Sequence, residues 1–407
     1  MLNTRDAFAL DGHTPSRVLR PDNTEALAAA IAEAHATGLA IIPWGGGTHQ
    51  HLGNRVARYD WAVSTAGLDR ILEHHPADML VTVEAGVTLQ ALQAHLATHG
   101  QFVPLEAEDP ARATIGGLLS AGVAGPQRLA HGTARDFTLW LEAVRADGTI
   151  VHGGAKVVKN VAGYDTPKLF LGSLGSAGVI TQAAFKVLPL PPTRWTTLLG
   201  FYSLDQAEDL LAVLTAGRLQ PSLVTVVKGD PAWGMPFDLA PWVVAVGADG
   251  EEATTDWQVD RFLTLGREAH MASGLAVDGE ESDRVRQALM TRRTEGLVRL
   301  KLSVLPDQVV PVLAQLDLLA MEGFYAFAEA GSGVIRACWP YAWEGWAEAA
   351  ALVHQLGGSW VLESAPPEWK VATDVWGPPR GDRALMRRLK ETLDPRGVLS
   401  PGRFTGG

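Results

Sequence analysis

The hydrophobic positions in the first half of the chain alternate between strand-like and helix-like periods. Residues 17–62 predict a strand, a helix, a strand, a loop and a strand. Asn23 or Thr24 begins this helix, Leu27 and Ile31 share one of its faces, and Gly38 ends it. The same reasoning predicts a helix after Thr88, another that opens at 113–117, a hairpin turn at Asp147-Gly148, and strands over 80–85, 136–146, 149–152 and 179–188.

The prolines at positions 189, 191 and 192 end this pattern and indicate a domain boundary. Beyond them, two consecutive β-α-β-β-α-β patterns predict ferredoxin-like halves that form one continuous sheet covered by helices. Residues 393–404 follow an amphipathic helix and contain two prolines and two glycines, which favours an ordered segment packed against an existing domain. The expected fold class is α+β, with domains at 1–190 and 191–375 and a C-terminal segment, 376–407, that returns to the first domain.

The most informative motif is Pro43-Trp44-Gly45-Gly46-Gly47-Thr48-His49, which follows the apolar strand at 39–42. Three consecutive glycines let the backbone turn through positive φ and approach a ligand closely. Successive N–H groups then form a concave anion site, to which Thr48 adds a hydroxyl donor. A phosphate or pyrophosphate suits this loop, and a tight turn that merely needs glycine is the alternative. The Rossmann fingerprint G-x-G-x-x-G is not met, because position 50 is glutamine.

Three further glycine-bearing segments follow in a characteristic order, within 113–122, 159–165 and 172–180. Together with the first loop they resemble the FAD-binding (PCMH-type) domain of the vanillyl-alcohol oxidase and para-cresol methylhydroxylase superfamily. Within it, the chain is most similar to the small FAD-binding subunit of bacterial glycolate oxidase, a glycolate dehydrogenase in electron-acceptor terms. The motifs that carry this are Arg128-x-x-x-Gly132-x-x-Arg135-Asp136, the run from Val157 to Asp165, and the tail Asp-Pro-x-Gly-x-Leu-x-Pro-Gly-Arg-Phe.

The resemblance implies FAD as cofactor, a two-subdomain FAD-binding domain and an α+β cap domain. It also implies a 2-hydroxy acid substrate and two partners, a larger flavin subunit and an iron–sulfur subunit. Asp109 is a candidate for a ribose or ring polar group, with a solvated loop residue as the alternative, and Thr114 is a candidate phosphate donor. The cofactor-binding residues expected are Pro43, Trp44, Gly45, Gly46, Gly47, Thr48, His49, Asp109, Thr114, Gly116, Gly117, Gly122, Lys159, Asn160, Gly178, Val179 and Ile180.

Two departures from the family pattern change these expectations. Members with covalent flavin have a histidine where this chain has Thr48, so we expect non-covalent FAD. Trp44 stands where arginine is common, which removes a charge near the pyrophosphate or supplies a ring for stacking. Larger relatives carry a histidine-rich metal-binding run in the cap domain. In this chain, the only histidines between residues 195 and 370 are His270 and His354.

Three functional hypotheses follow. In the first, the chain is an oxidoreductase subunit: a hydride passes from glycolate or a similar acid to FAD, and the electrons pass to a partner. In the second, it is a non-catalytic FAD-bearing structural or electron-relay subunit. In the third, it is a stand-alone FAD oxidase of an alcohol or sugar. Lys159, Lys370 and Arg403 are candidates to hold a substrate carboxylate, and no residue is assigned as the catalytic base.

Composition and charge exclude other classes. The 407 residues exceed the usual size of a single core, and 47% hydrophobic with 19% charged residues is ordinary for a folded enzyme. A net charge of −11 gives no support for binding nucleic acid or an anionic membrane. No apolar run has the length of a membrane span, and the first residues do not form a secretory signal, so the cytoplasm is expected, with any inner-membrane contact made through partners.

Cysteine and histidine usage predicts that metal chemistry lies on another chain. The single cysteine, Cys338, cannot hold an iron–sulfur cluster and lies in an apolar run that favours a buried structural thiol. The pairs His49 and His51, and His74-His75 in an expected polar turn, lack an H-E-x-x-H or matched carboxylate pattern. No metal site is therefore expected, and no G-x-S-x-G nucleophile motif is present.

Overall fold

The computed structural model describes residues 5–157, 165–217, 219–228, 240–293, 295–319, 323–379 and 381–404. The chain divides into two compact units. Met1–Ala124, Thr133–Leu190 and Pro367–Gly407 form the first unit, and Gly125–Gly132 with Pro191–Pro366 form the second.

The elements up to residue 190 begin where capping residues and hydrophobic periodicity predict them. Asn23 Oδ1 accepts a hydrogen bond of 2.8 Å from Ala26 N, and Gly38 ends the helix with φ 71°. The elements are β1 (Arg17–Leu19), α1 (Thr24–Thr37), β2 (Ile41–Trp44), β3 (Trp61–Ser64), β4 (Ile71–His75), β5 (Leu80–Glu84), α2 (Leu89–Ala97), β6 (Gln101–Phe102), α3 (Ile115–Ala121), α4 (Arg128–His131), α5 (Ala134–Phe137), β7 (Thr138–Val144), β8 (Ile150–Gly154), β9 (Val179–Lys186) and β10 (Leu188–Pro189).

The first unit contains two main sheets. Strands β1, β3 and β2 form a parallel sheet in the order β1-β3-β2, and β4-β5-β9-β7-β8 form an antiparallel one. Helix α1 packs Leu27 and Ile31 into the core beside the first sheet, and α2 and α3 contribute to the core of the second. This arrangement places the glycine loop immediately after β2.

The C-terminal segment of the first unit pairs with the edge of the parallel sheet. Ile41 N donates to Val398 O at 2.8 Å, and Ser400 N donates to Ile41 O at 2.9 Å. Val398 and Leu399 are fully buried in the core beside α1. These bonds extend the sheet alongside β2, the strand from which the glycine loop emerges.

The elements after residue 190 follow the expected double β-α-β-β-α-β order, with two helices, at 279–292 and 369–372, that the sequence did not predict. They are β11 (Thr193–Phe201), α6 (Leu204–Thr215), β12 (Leu223–Lys228), β13 (Trp242–Gly250), α7 (Glu252–Glu268), β14 (Ser273–Asp278), α8 (Gly279–Arg292), β15 (Val298–Ser303), α9 (Val309–Leu319), β16 (Tyr325–Glu329), β17 (Val334–Trp339), α10 (Trp346–Gln355), β18 (Ser359–Ser364), α11 (Trp369–Ala372) and α12 (Arg383–Leu393).

The second unit contains one eight-stranded antiparallel sheet in the order β14-β11-β13-β12-β16-β17-β15-β18. Each half has its first and third strands side by side in the middle, which is the ferredoxin-like arrangement. The halves join where β12 pairs with β16, so that Thr225 lies opposite Glu329. The α+β fold with two ferredoxin-like halves in one sheet is therefore confirmed.

A buried group of opposite charges lies where the end of α8 meets this sheet. We call it the arginine–glutamate cluster: Arg293, Arg336, Glu329 and Glu363. Glu329 Oε1 accepts from Arg293 Nη1 at 3.1 Å and from Arg336 Nη1 at 3.2 Å. Glu363 Oε2 accepts from Arg336 Nε at 3.2 Å. Each guanidinium is thus matched by a carboxylate inside the sheet's own packing.

The structure differs from the sequence-based expectations at several boundaries. Residues 367–375, assigned from sequence to the second domain, belong to the first unit, and 125–132 belong to the second. Residues 136–137 end the short helix α5 before strand β7 begins, because Thr133 and Asp136 form a capping box there. His74-His75 lie in strand β4 and not in a turn. Within the described residues, no helix is long and apolar enough to cross a membrane.

Candidate functional site

The glycine loop forms one wall of a pocket in the first unit. The other walls come from α3, from the segment that precedes β9, and from the C-terminal segment. The lining residues are Pro43, Trp44, Gly45, Gly46, Gly47, Thr48, His49, Gln50, Thr65, Gly116, Gly117, Ser120, Ala121, Leu174, Gly175, Val179, Ile180 and Arg403.

The loop can take its path only with glycine at its tightest points. A Cβ on Gly46 would lie 1.7 Å from Arg112 O, and one on Gly45 would lie 2.1 Å from Thr114 Oγ1. Gly47 has φ 74°, the left-handed region that favours glycine. The loop is therefore pressed against the backbone at 112–114 on its outer side, and its inner side faces the pocket.

The loop's carbonyl groups and its amide groups differ in their hydrogen bonding. Two carbonyls accept hydrogen bonds: Pro43 O from Gln50 Nε2 at 2.8 Å, and Gly46 O from Arg112 Nη2 at 3.2 Å. Among the described residues, none of the amide nitrogens from Gly45 to His49 donates a hydrogen bond. Five successive N–H donors are thus available at the pocket wall, as an anion requires.

Arg403 supplies the only permanent charge among the described residues that line the pocket. Its Nη1 donates to Gln50 Oε1 at 2.6 Å, and its Nη2 donates to the carbonyls of Gln50 and Leu52 at 2.7 Å each. Burial lowers the pKa of Arg403 to about 10, and Asp11 and Tyr59 oppose that shift. The guanidinium therefore stays charged at neutral pH and fixes the end of the loop.

Thr48 and His49 form a short hydrogen-bonded chain with Glu108. Thr48 Oγ1 lies 2.9 Å from His49 Nδ1, and His49 Nε2 lies 2.9 Å from Glu108 Oε2. With the carboxylate as acceptor, Nε2 carries the proton and Nδ1 accepts from the Thr48 hydroxyl. The Thr48 hydroxyl therefore donates to His49, whereas the sequence predicted it as a donor to a phosphate.

Trp44 belongs to the core beneath the loop. Its Nε1 donates to Tyr59 Oη at 2.7 Å, and its ring meets Phe8 edge-on with centroids 5.0 Å apart. Tyr59 Oη in turn donates to Phe8 O at 2.9 Å, and burial raises the pKa of this phenol. The indole thus supports Gly47 from below, where a Cβ would lie 3.1 Å from Trp44 Cζ3.

Four of the predicted cofactor residues lie beside the pocket and do not line it. Thr114 caps α3, its Oγ1 accepting from Gly117 N at 3.3 Å, and Gly122 ends α3 with φ 66°. Asp109 Oδ1 accepts from Arg112 N at 3.3 Å within a turn, and a Cβ on Gly178 would lie 2.7 Å from the Phe170 ring. Lys159 and Asn160 lie outside the described residues.

Two residues that the sequence predicted to bind a substrate carboxylate already donate hydrogen bonds to the protein close to the glycine loop. Lys370 Nζ donates to His51 O at 2.6 Å and to Gly53 O at 3.2 Å. Arg403 makes the three bonds described above. Both cations hold the backbone just after the glycine loop, so their role in this structure is to shape the pocket.

Sequence reasoning missed several residues of the site. Gln50, Thr65, Ser120, Ala121, Leu174 and Gly175 line the pocket, and Glu108 orients His49. Gly175, with φ 72°, lies within the glycine-bearing segment that the sequence singled out, so its spacing was a usable signal. Glu108 has no local signal, because it is separated from His49 by 59 positions.

Comparison with known proteins identifies the kind of site. Residues 15–154 match the family model described as FAD binding domain. This protein carries an FAD-binding domain. The predicted cofactor, FAD, and an FAD-binding domain in the first part of the chain are thereby confirmed.

The relatives of this flavoprotein are oxidases and dehydrogenases of hydroxy acids. The chain is 27% identical over 420 residues to glycolate oxidase subunit GlcD of Bacillus subtilis, covering 96% of this chain and 89% of the relative. It is 28% identical over 428 residues to the mitochondrial D-2-hydroxyglutarate dehydrogenase of Bos taurus, covering 94% of this chain and 76% of the relative. It is 33% identical over 181 residues to glycolate oxidase subunit GlcE of Escherichia coli, covering 44% of this chain and 49% of the relative. The predicted class, an FAD-dependent oxidoreductase acting on CH–OH groups, agrees with these relatives and is confirmed at that level.

Solved structures support the fold. Two structures of alkyldihydroxyacetonephosphate synthase align with TM-scores of 0.67 and 0.69 at 17% and 18% identity. They cover 94% and 96% of this chain, and the chain covers 76% and 77% of theirs. The mixed α+β fold of the chain is shared with them.

The pocket fits the phosphate portion of FAD. A pyrophosphate carries two negative charges and needs several donors at close range. The five unbonded amides and the buried Arg403 charge supply donors and compensation. Side-chain carboxylates are absent from the described lining residues, so nothing there repels the anion.

Proposed function

We propose that this chain is an FAD-binding subunit of an oxidoreductase that oxidises glycolate or another small 2-hydroxy acid and passes the electrons to a partner. The observation that carries the proposal is the row of unbonded loop amides facing a pocket with a buried arginine. The hydroxy-acid relatives set the substrate class. The first unit serves as the FAD domain and the second as the cap or substrate domain.

The residues of the first unit would bind and orient the cofactor. The amides of Gly45 to His49 donate to the pyrophosphate, and Arg403 offsets its charge. Gly116, Gly117, Val179 and Ile180 bound the pocket with backbone and small apolar surface, while Thr114, Gly122 and Gly178 shape its walls from behind. When bound, FAD supplies the hydride acceptor.

The partners are inferred from the relatives and from composition. GlcD and GlcE are named as subunits of glycolate oxidase, and the chain is similar to both. A single cysteine cannot ligate an iron–sulfur cluster, so an electron relay of that kind requires another chain. A larger flavin subunit and an iron–sulfur subunit are therefore the proposed partners. The proposed location of the complex is the cytoplasm, with any contact at the inner membrane made through those partners.

The decisive experiment uses the absorbance of the purified, flavin-loaded protein. Anaerobic addition of glycolate should bleach the band near 450 nm within a turnover, and a non-hydroxylated acid such as acetate should leave it unchanged. A yellow protein that stays oxidised with glycolate, D-lactate and D-2-hydroxyglutarate, both alone and with its copurifying partners, would contradict the proposed substrate class. Acid precipitation should release all the flavin into the supernatant, because Thr48 offers no histidine for a covalent bond.

A relay subunit without its own turnover is the second candidate. The observation that favours it concerns the second unit: among its described residues, no three metal-ligating side chains come together. In that case glycolate would reduce the flavin only after a larger flavin subunit is added. Reduction at the same rate with and without that subunit would eliminate this candidate.

A further inference from the structure

Three histidines of the first unit come together away from the glycine-loop pocket. His74 lies on the edge strand β4, His95 lies in the last turn of α2, and His99 follows the end of that helix. One nitrogen of each ring lies within 4.8 Å of the others. His74 and His95 are half-buried, and His99 is exposed. None of the three lines the glycine-loop pocket.

The hydrogen bonds of Gln101 fix the tautomer of His74. Gln101 Nε2 donates to Pro76 O at 2.8 Å, which leaves Gln101 Oε1 as an acceptor. His74 Nε2 lies 2.9 Å from that oxygen and must therefore carry the proton. In the neutral ring Nδ1 is then the lone-pair nitrogen, and it accepts from His95 Nε2 at 3.1 Å, a bond that a metal ion would replace.

The hydroxyl of Thr98 fixes His99 in the same way. Thr98 Oγ1 donates to His95 O at 2.7 Å, so its lone pairs are left to accept. His99 Nδ1 lies 2.9 Å from this oxygen and carries the proton, which makes Nε2 the lone-pair nitrogen. Both rings thus have an outer partner on the proton-bearing nitrogen, the pattern found around metal-ligating histidines.

The geometry points to a binding site for one divalent transition-metal ion of the zinc type. Its ligands would be Nδ1 of His74, Nε2 of His95 and Nε2 of His99. Imidazole nitrogens bind Zn²⁺ at about 2.0–2.1 Å, which puts neighbouring tetrahedral ligands roughly 3.3 Å apart. The 3.1 Å between the His74 and His95 nitrogens is close to that spacing. Because His99 is exposed, water completes the fourth position. Three neutral ligands without a carboxylate suit Zn²⁺ and not Mg²⁺ or Ca²⁺.

The site would link two elements that are distant in sequence. His74 belongs to an edge strand, and its partners follow by 21 and 25 positions across β5 and α2. A bound ion would therefore stabilise the first unit by crosslinking β4 to the end of α2. This role is independent of hydride transfer.

The test is titration of the untagged, flavin-loaded full chain, stripped with EDTA, with ZnCl₂ at pH 7.5 in a calorimeter. The wild type should bind one ion per chain, and His95→Asn and His99→Asn should each weaken binding at least tenfold. Thr98→Val, which removes the partner that orients His99, should weaken it by about tenfold. Co²⁺ in place of Zn²⁺ should give the visible bands of four-coordinate cobalt in the wild type only.

The matched control is His75→Asn, on the same strand and outside the cluster, which should keep wild-type affinity. The metal-free variants should retain the 450 nm absorbance and melting temperature of the metal-free wild type. Absence of a one-to-one site in the wild type, or equal loss of affinity in His75→Asn and His95→Asn, would overturn the proposal.

Discussion

The glycine-loop pocket of the first unit and the arginine–glutamate cluster of the second unit treat charge in opposite ways. In the pocket, backbone amides are left unbonded and one arginine supplies the charge. In the cluster, Arg293 and Arg336 are matched to Glu329 and Glu363 within the protein. A region that leaves donors open is prepared for an outside ligand, whereas a region that pairs its charges internally serves the fold.

The two regions should respond to different kinds of mutation. A site built from backbone cannot lose its donors by side-chain substitution, but one added carbon that clashes behind the loop can displace them. A site built from paired side chains tolerates no unmatched deletion, because the remaining charge stays buried. The predictions below use this difference.

The largest effect is expected from Gly46→Ala. The added Cβ would lie 1.7 Å from Arg112 O, so the loop must move and its amides lose their arrangement. The ratio of 450 nm to 280 nm absorbance in the purified protein should fall to a few per cent of wild type. Gly381→Ala, where a Cβ meets nothing within 4 Å, is the control and should keep full flavin content. Full flavin retention in Gly46→Ala would contradict the assignment of the loop.

In the second unit, Glu329→Gln should lower the free energy of unfolding by about 3–5 kcal/mol, because it leaves Arg293 and Arg336 without their shared carboxylate. Urea unfolding, with hydrogen exchange of peptides covering β16 and β17, measures this. Exposed Glu348→Gln should change stability by no more than about 0.5 kcal/mol. Flavin content should stay at the wild-type level in both variants, and loss of flavin in Glu329→Gln would end the proposed contrast.

Acid should also lower the free energy of unfolding through the same cluster, by slightly less than Glu329→Gln does. Burial alone would raise the pKa of Glu363, but Arg336, then Lys301 and Arg299, lower it from 4.5 to about 2. A carboxyl with a lowered folded-state pKa stabilises fully above 4.5, and the contribution is lost as the pH falls towards 2. The loss amounts to about 3 kcal/mol. About 2 kcal/mol of this should be lost between pH 7 and pH 3, because the folded-state pKa lies below that range. Urea unfolding at the two pH values measures it, and Glu363→Gln should flatten that dependence.

The smallest effect is expected from Arg403→Lys. Lysine keeps the charge but cannot make the forked bonds to Gln50 and Leu52. The dissociation constant of FAD, measured by flavin fluorescence on the stripped protein, should rise about tenfold. Arg388→Lys, on the exposed side of α12, is the matched control. An unchanged affinity in Arg403→Lys would mean that the forked bonds do not shape the pocket.

The parts of the site that are local in sequence could be predicted, and the parts made by distant residues could not. The stretch from Pro43 to His49 forms its loop from adjacent residues, so motif and strand position were sufficient. Glu108 was missed although its neighbour Asp109 was chosen, because only the fold decides which carboxylate faces His49. Arg403 was noted as a candidate for substrate, and its contact with Gln50 depends on the return of the chain.

The fold shows the same division. The strand and helix order of both ferredoxin-like halves followed from period and turns. Helix α8 was missed because its sequence is strongly polar and buries Arg286, whose guanidinium binds Asp249 at 2.6 Å. The histidine cluster was missed because His74 and His95 meet only when β4 packs beside α2. Segment 125–132 joins the second unit without any change in composition to indicate it.

The bonds between Arg403 and Gln50 join residues 353 positions apart, with the whole second unit encoded between them. A ribosome therefore produces the glycine loop early and its guanidinium clamp only after Pro191–Pro366 has emerged. Nascent chains stalled before residue 403 would therefore have a flavin site with one wall missing.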